Sequence, residues 1–182
     1  NNTKIEFIAN KIIGIETVNT LKPLRILAAK HRGNSAQWFS GNKDLATTIR
    51  GLENKIQQAF DLAQKSLSNP LYSSKSNEVF DKLKQKWNLL LLSNIQNQSA
   101  SQSFMQHNLW VSEVDNLIRE IASQSGLILD LNISTHELMA ISIFSIPKLQ
   151  EQLGQLRGIG AGVATKGTFE SNSFVAASTL YN

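Results

Sequence analysis

The chain has 182 residues, of which 41% are hydrophobic, which is enough for one domain with a sizeable core. Apolar runs reach only four residues, as at Leu89 to Leu92, so no segment has the roughly 18 apolar residues of a membrane span. The absence of cysteine excludes disulfides, thiolate metal sites and cysteine nucleophiles.

The net charge of +4 is unevenly placed, since residues 1–66 carry ten Lys and Arg against five Asp and Glu, but the excess is spread along the helices and is not gathered into a basic stripe. A nucleic-acid binder typically presents such a stripe, often with stacking aromatic residues, so we expect no nucleic-acid partner. The sequence also lacks an N-terminal signal pattern. It is therefore expected to be either cytosolic or a segment excised from an extracytoplasmic protein.

Helical periodicity runs through most of the chain. Residues 3–32 predict a long first helix that Pro23 should kink. A break at Gly41-Asn42 follows, with Asn42 as a candidate N-cap. The second helix carries an apolar seam of the kind that antiparallel bundles use, at Leu45, Ile49, Leu52, Ile56, Phe60, Ala63 and Leu67.

Three further helices are predicted after the Ser-Asn-Pro sequence at 68–70. The third has its stripe at Phe80, Leu83, Trp87 and Leu90, and the fourth at Phe104, His107, Val111, Val114, Ile118 and Ile121. Capping boxes are predicted at Ser99 to Gln102 and at Ser134 to Glu137, the second of which opens a fifth helix through Leu138, Ile141, Leu149, Leu153 and Leu156.

We predict one all-α domain over residues 1–182, an elongated antiparallel bundle of five to six helices. Two of the helices are long and expected to be kinked by Pro23 and Pro147. From about residue 168 another helix begins without a stop signal, so the natural chain is expected to continue.

A near-repeat is the main functional signal. Residues 31–36 (His-Arg-Gly-Asn-Ser-Ala) and 156–161 (Leu-Arg-Gly-Ile-Gly-Ala) are offset by 125 positions. If Arg32 and Arg157 converge, they form a site for a carboxylate or a small oxyanion, with Ser35, His31 and Trp38 as further candidate contacts. The competing interpretation is that each Arg caps a helix end or pairs with an acid such as Glu151.

Four segments together carry a family resemblance: 21–36, 125–132, 138–139 and 146–161. They resemble the extracytoplasmic helical sensor domains of bacterial methyl-accepting chemotaxis proteins and sensor kinases. The Arg-Gly-x-Ser-Ala pattern is also similar to the nitrate- and nitrite-sensing helical domain family. The chain departs from that second pattern, because His31 and Leu156 stand where an acidic residue usually precedes the Arg, and Gly160 replaces Ser.

The resemblance implies a periplasmic domain set between two membrane helices that lie outside these residues. It implies a small ligand bound between helices, signalling by helix displacement, a homodimer in the intact receptor, and no cofactor. The alternative is a helical interaction or dimerisation module without a small-molecule ligand.

Catalysis and metal binding have little support. The three histidines, His31, His107 and His136, stand on different predicted helices without the spacing of a zinc site. No Gly-x-Ser-x-Gly motif is present, and the glycines after Arg157 follow a helix and not a strand, which excludes a phosphate loop. We therefore expect a protein that is not an enzyme.

Overall fold

The computed structural model describes residues 2–95, 99–129, 133–168, 175 and 177–180. Within these residues there are no strands, and the predicted all-α class is confirmed. Up to residue 168, the described residues form six α-helices: α1 (Asn2–Phe39), α2 (Ala46–Leu67), α3 (Ser74–Ile95), α4 (Ala100–Gln124), α5 (Ile133–Ala140) and α6 (Ile146–Lys166). A 3-10 turn at Lys43–Leu45 precedes α2, and a π-helical turn at Ile141–Ser145 joins α5 to α6.

The first four helices form an up-down-up-down bundle. Helix α1 packs against both α2 and α4, and α3 packs against α4 and α2. Helices α1 and α4 are antiparallel, since Gly14 faces Ser125 at one end of the pair and Arg32 bonds to Asn108 further along. The core is aliphatic with an aromatic centre, where Trp87 and Trp110 lie 5.0 Å apart and Phe60 contacts Trp110 and Phe80.

Helix α1 is longer than predicted. The expected end at residue 32 is wrong, because the helix continues through Pro23, Arg32 and Gly33 to Phe39. One glycine costs a helix about 1 kcal/mol, and burial of the neighbouring side chains between α2 and α4 outweighs that cost. The turn that follows uses Gly41 at φ 115°, and the Asn42 side chain forms no capping hydrogen bond.

The stripes of the middle helices are confirmed except at Leu45, Ile49 and Phe104, which are only half-buried. All four residues of the α3 stripe are buried, and on α2 burial begins at Leu52 and continues through Leu67. The capping box at Ser99 is formed, with the Ser99 hydroxyl accepting from the Gln102 amide and the Gln102 side chain accepting from the Ser99 amide. Sequence periodicity therefore located the bundle's second, third and fourth helices.

The predicted fifth helix is interrupted. Its capping box at Ser134 is wrong, since α5 begins at Ile133 and Ser134 lies inside it. The π turn lies just before Pro147, whose missing N–H prevents the ordinary hydrogen bond to the preceding turn. The predicted apolar stripe is largely exposed, with Leu149 and Leu153 at 56% and 57%, because α6 lies on the outside of the bundle.

Among the described helices, none is long and apolar enough to cross a membrane. Of the helix predicted from residue 168, residues 175 and 177–180 are helical, Thr168 is not, and the other positions lie outside the described residues. The Leu180 carbonyl accepts a hydrogen bond of 3.2 Å from the Gln152 side chain. The last described turn therefore lies against α6.

Candidate functional site

Helix α6 runs parallel to α1. The Arg25 guanidinium donates to the Pro147 carbonyl at 2.8 Å and to the Gln150 side chain at 2.7 Å. Further along both helices, Arg32 pairs with Glu151. The contacting residues follow each other in the same direction along both helices, so the helices are parallel. The two Arg-Gly segments therefore lie side by side.

A cleft lies between these parallel helices. Its larger part, which we name the Gly33 cavity, measures about 450 Å³ and is lined by α1, α2 and α6. The adjoining Arg32 cavity measures about 410 Å³ and is lined by α1 and α6. The two cavities share Ala29, Lys30, Gly154 and Arg157, and together they form the α1–α6 cleft.

Small residues at matching positions of the repeat build this cleft. Three pairs that are each 125 positions apart line the Gly33 cavity: Ala29 with Gly154, Gly33 with Gly158, and Ala36 with Ala161. At Gly158 the absence of a side chain is required, since a Cβ there would lie 2.7 Å from the Phe104 ring. The matching positions of the repeat therefore supply small residues to the wall of the cleft, and Gly158 also lets Phe104 of α4 approach α6.

The charges lining the Gly33 cavity are of one sign. Lys30 and Arg157 are present, and the lining residues include no Asp or Glu. Polar side chains complete the wall at Asn34, Gln37, Ser40 and Thr48, with Leu52 supplying apolar surface. A cavity with two cations, several hydrogen-bonding groups and no carboxylate is electrostatically suited to an anion.

Arg157 is the more accessible of the two repeat arginines. It is exposed, and one of its terminal nitrogens lies 4.0 Å from the position that a Cβ on Gly33 would occupy. Within the described part of the chain, no hydrogen bond or ion pair engages its guanidinium. Arg157 can therefore bind a ligand without first leaving another partner.

Arg32 is already engaged. Its side chain is 2% exposed and lies over the Phe104 ring, 5.0 Å from the centroid. Its guanidinium forms an ion pair with Glu151 and donates to the Asn108 side chain at 2.6 Å. The pairing with Glu151 is the competing interpretation considered from the sequence, and Arg32 joins α1, α4 and α6.

A second buried ion pair supports this junction. Arg25 lies 3.6 Å from Asp115 of α4 and, as described above, also holds the start of α6. Burial raises the pKa of Asp115, while Arg25 and Arg119 oppose that rise. Together Arg25 and Arg32 attach α6 to the α1–α4 pair through polar contacts.

His31 and Ser35 belong to the core and do not line the cleft. His31 Nδ1 lies 2.8 Å from His107 Nε2 and 3.3 Å from the Ser35 hydroxyl. His107 Nδ1 lies 2.6 Å from the Ser103 carbonyl, which can only accept, so the proton is on Nδ1. Neutral His107 then accepts at Nε2, and His31 Nδ1 donates to it.

Burial lowers the pKa of His107 to about 3, and the neighbouring His31 and Arg32 reinforce the effect. The bond to the Ser103 carbonyl opposes it. At its other nitrogen, Nε2, His31 lies 3.4 Å from Glu53 of α2. The histidines therefore link α2, α1 and α4 behind the cleft.

Trp38 lies apart from the cavities, although its neighbours Gln37 and Ser40 line one of them. Its ring stacks under the Lys43 ammonium, 3.5 Å from the centroid, beside the turn into α2. Of the five candidate residues, the structure brings only Arg32 and Arg157 to the cleft.

Sequence reasoning missed three features of the site. Lys30 directly precedes the first repeat and Asn34 lies within it, but neither was singled out as a ligand; their spacing of one helical turn was the available signal. The histidine pair was also missed. The available signal was a His and a Ser four residues apart on each of two helices: His31 with Ser35, and Ser103 with His107.

Within the described residues, no group of three or more His, Cys, Asp or Glu side chains is placed to hold a metal ion. Comparison with family models, with curated proteins and with solved structures found no significant match. The function is therefore inferred chiefly from the geometry of the cleft.

Proposed function

We propose that this chain is an extracytoplasmic ligand-sensing domain of a bacterial transmembrane receptor, of the chemotaxis or sensor-kinase type. It binds a small anion in the α1–α6 cleft and signals by a displacement of α6 relative to α1. The sequence resemblance supports the receptor context and the periplasmic location. The proposal assigns no catalytic step and no cofactor.

The main observation behind the proposal is that the charged residues lining the Gly33 cavity are all positive. Lys30 belongs to α1 and Arg157 to α6, so an anion between them contacts both helices. A carboxylate or a small oxyanion satisfies a guanidinium through paired hydrogen bonds. The polar wall formed by Asn34, Gln37 and Thr48 supplies further donors for its oxygens.

The signalling step follows from how α6 is held. It is attached by the polar contacts of Arg25 and Arg32, while its apolar residues Leu149 and Leu153 remain exposed. A ligand can shift α6 only by the difference in its affinity for the two arrangements. An anion that draws Arg157 towards Lys30 has this difference in affinity, since it contacts both cations only when α6 is close to α1.

Thermal unfolding with a panel of anions tests the proposal. The probes are acetate, succinate, nitrate and sulfate at constant ionic strength, with chloride as the reference. A ligand present at a hundred times its Kd stabilises the folded chain by about 2.7 kcal/mol, which is a readily measured rise in Tm. Arg157→Gln is expected to abolish the rise, because it removes the guanidinium and leaves Lys30 as the one cation among the lining residues of the cavity.

Lys75→Gln is the matched control, since it removes one exposed positive charge from α3 and lies outside the cleft. It is expected to leave the ligand response intact. If no anion raises the Tm of the native chain, or if Lys75→Gln and Arg157→Gln reduce the response equally, the proposal is wrong and the alternative of an interaction module without a ligand is favoured.

A further inference from the structure

The Arg32 cavity is lined by apolar side chains that a small anion does not use. Ile26 of α1 and Leu153 of α6 both line it, and they are 43% and 57% exposed. Ala29 and Gly154 complete the apolar part of its wall. Single exposed apolar side chains are ordinary on a protein surface, but these two come from different helices and line one cavity. A ligand that contacts both removes apolar surface of α1 and α6 from water.

The volume of the cleft exceeds what a small inorganic anion fills. The Gly33 cavity measures about 450 Å³ and the Arg32 cavity about 410 Å³. A water molecule takes up about 30 Å³, and nitrate or acetate is only a few atoms larger. Cavities of about 300–1,000 Å³ typically hold an organic ligand and bury most of its surface. The cleft is therefore large enough for an organic body attached to an anionic group.

The accessible cations of the cleft are at the junction of the two cavities. Lys30 and Arg157 line both cavities, and both residues are exposed. A carboxylate between them contacts α1 and α6, in agreement with the function proposed above. From that position the rest of the ligand can extend into the Arg32 cavity.

The other cations that line the Arg32 cavity already have acidic partners. Arg25 lies 3.6 Å from Asp115, and Arg32 forms an ion pair with Glu151. Glu151 itself lines the cavity. A second carboxylate on the ligand would be repelled by Glu151 and would meet two guanidinium groups that are already paired. This part of the cleft therefore accepts an uncharged apolar group better than a second anion.

We propose that the ligand of the α1–α6 cleft is an organic monocarboxylate with an extended apolar body. Its carboxylate lies between Lys30 and Arg157, and its body lies in the Arg32 cavity against Ile26 and Leu153. This inference rests on the proposed function, because it names the class of ligand that the same site binds. It ranks small oxyanions and dicarboxylates below a monocarboxylate of matching length.

Isothermal titration calorimetry with acetate, butyrate and hexanoate measures the contribution of the apolar body, since the carboxylate is common to all three. Each methylene that is buried strengthens binding about threefold to fourfold. The Kd is expected to fall at least about thirtyfold from acetate to hexanoate, which allows for incomplete burial.

Two analogues of hexanoate test its two ends. Adipate has a second carboxylate at the far end of the same carbon chain, and it is expected to bind at least about tenfold more weakly because that group is desolvated beside Glu151. Hexanamide has the same body and no charge. It is also expected to bind at least about tenfold more weakly, because it cannot pair with Lys30 and Arg157.

A matched pair of leucines on α6 tests the position of the body. Leu153→Asn is expected to weaken hexanoate binding at least about tenfold and acetate binding much less, because only hexanoate reaches that side chain. Leu149→Asn is the control, since Leu149 is 56% exposed and is not among the residues that line the two cavities. It is expected to leave the Kd of hexanoate unchanged. Far-ultraviolet circular dichroism confirms that both variants fold.

The outcomes separate this inference from the proposed function. If acetate binds and requires Arg157 but hexanoate binds no more tightly, the ligand class is wrong and the proposed function stands. Adipate binding more tightly than hexanoate, or equal losses in Leu149→Asn and Leu153→Asn, overturns the ligand class in the same way. If no carboxylate binds, or if hexanamide binds as tightly as hexanoate, both the ligand class and the anion site are wrong.

Discussion

Acid is expected to destabilise the fold through His107. Because its pKa is lowered to about 3 in the folded chain, the ring is neutral there, while the unfolded chain binds a proton below about pH 6.5. The unfolded state therefore carries more protons as the pH falls through this window. The contribution of neutral His107 to the free energy of unfolding is fully present above pH 6.5 and is lost progressively as the pH falls to about 3.

The magnitude follows from linkage. When only the unfolded state binds a given proton, each unit by which the pH falls lowers the free energy of unfolding by about 1.4 kcal/mol. Across the window set by His107 the loss amounts to about 5 kcal/mol. This is a large share of the 5–15 kcal/mol that is typical of a folded domain.

Urea unfolding at half-unit steps from pH 7 to pH 4 measures the slope. The His107→Gln chain has no titrating ring at this site, so its slope is expected to be shallower than that of the native chain by about one proton. The difference in slope is diagnostic even if the variant is less stable at every pH. Equal slopes, or an NMR titration that places the His107 pKa near 6.5, would refute the reasoning.

Three further substitutions test the contacts around the cleft and the bundle. Arg32→Met leaves the Glu151 carboxylate without its ion-pair partner and should lower the free energy of unfolding in urea by about 3 kcal/mol. Adding Glu151→Gln to the same chain should recover part of this stability. An unchanged free energy of unfolding in Arg32→Met would contradict the assigned pair. Gly158→Ala forces a Cβ against the Phe104 ring and should lower the free energy of unfolding by about 2 kcal/mol, and Phe104→Leu in the same chain should recover part of it. An unchanged Tm in Gly158→Ala would show that α6 does not approach the Phe104 ring of α4 so closely. Ser99→Ala removes the cap of α4 and should cost about 1 kcal/mol; an equal stability would mean that the capping box is not formed in solution.

Helix type and the core stripes were predictable because the middle helices are amphipathic over many turns. The α3 stripe from Phe80 to Leu90 and the α4 stripe from His107 to Ile121 recur at three- and four-residue spacing, and all of these positions are buried. Local patterns of this kind depend on the helix alone, so the sequence determines them without knowledge of the neighbours.

Apolar periodicity could not reveal which stripe has a partner within the chain. Ile5 to Ile15 and Leu149 to Leu153 follow the same spacing as the buried stripes, yet they are exposed. Spacing determines that side chains align on one face. Whether that face meets another helix is decided by the arrangement of the whole bundle.

Breaks in the helices were predicted less well, because their energies are small and tertiary contacts compensate for them. The first helix was expected to end before Gly33, but α1 passes through it. Pro147 was expected to kink one continuous helix, and it instead follows a π turn that separates α5 from α6. At Gly33, packing of α1 against α2 and α4 outweighs the local preference, whereas at Pro147 the missing N–H interrupts the helix locally.

The candidate site was predictable only in part. The offset of the repeat indicated that Arg32 and Arg157 are related, and parallel packing of α1 and α6 brings both to one cleft. The sequence could not assign their different roles. Those roles depend on Glu151 and Asn108, which reach Arg32 from two other helices and leave Arg157 as the accessible cation.

The central claim is that a small anion binds in the α1–α6 cleft, and a backbone amide NMR titration tests it most directly. Adding the anion that raises the Tm most should shift the amide resonances of Gly33, Gly158 and Gly162, which line the Gly33 cavity. The amides of Gly41 and Gly51, which lie outside it, should stay in place. Shifts that are absent at the three cleft glycines, or equal at all five, would contradict the claim.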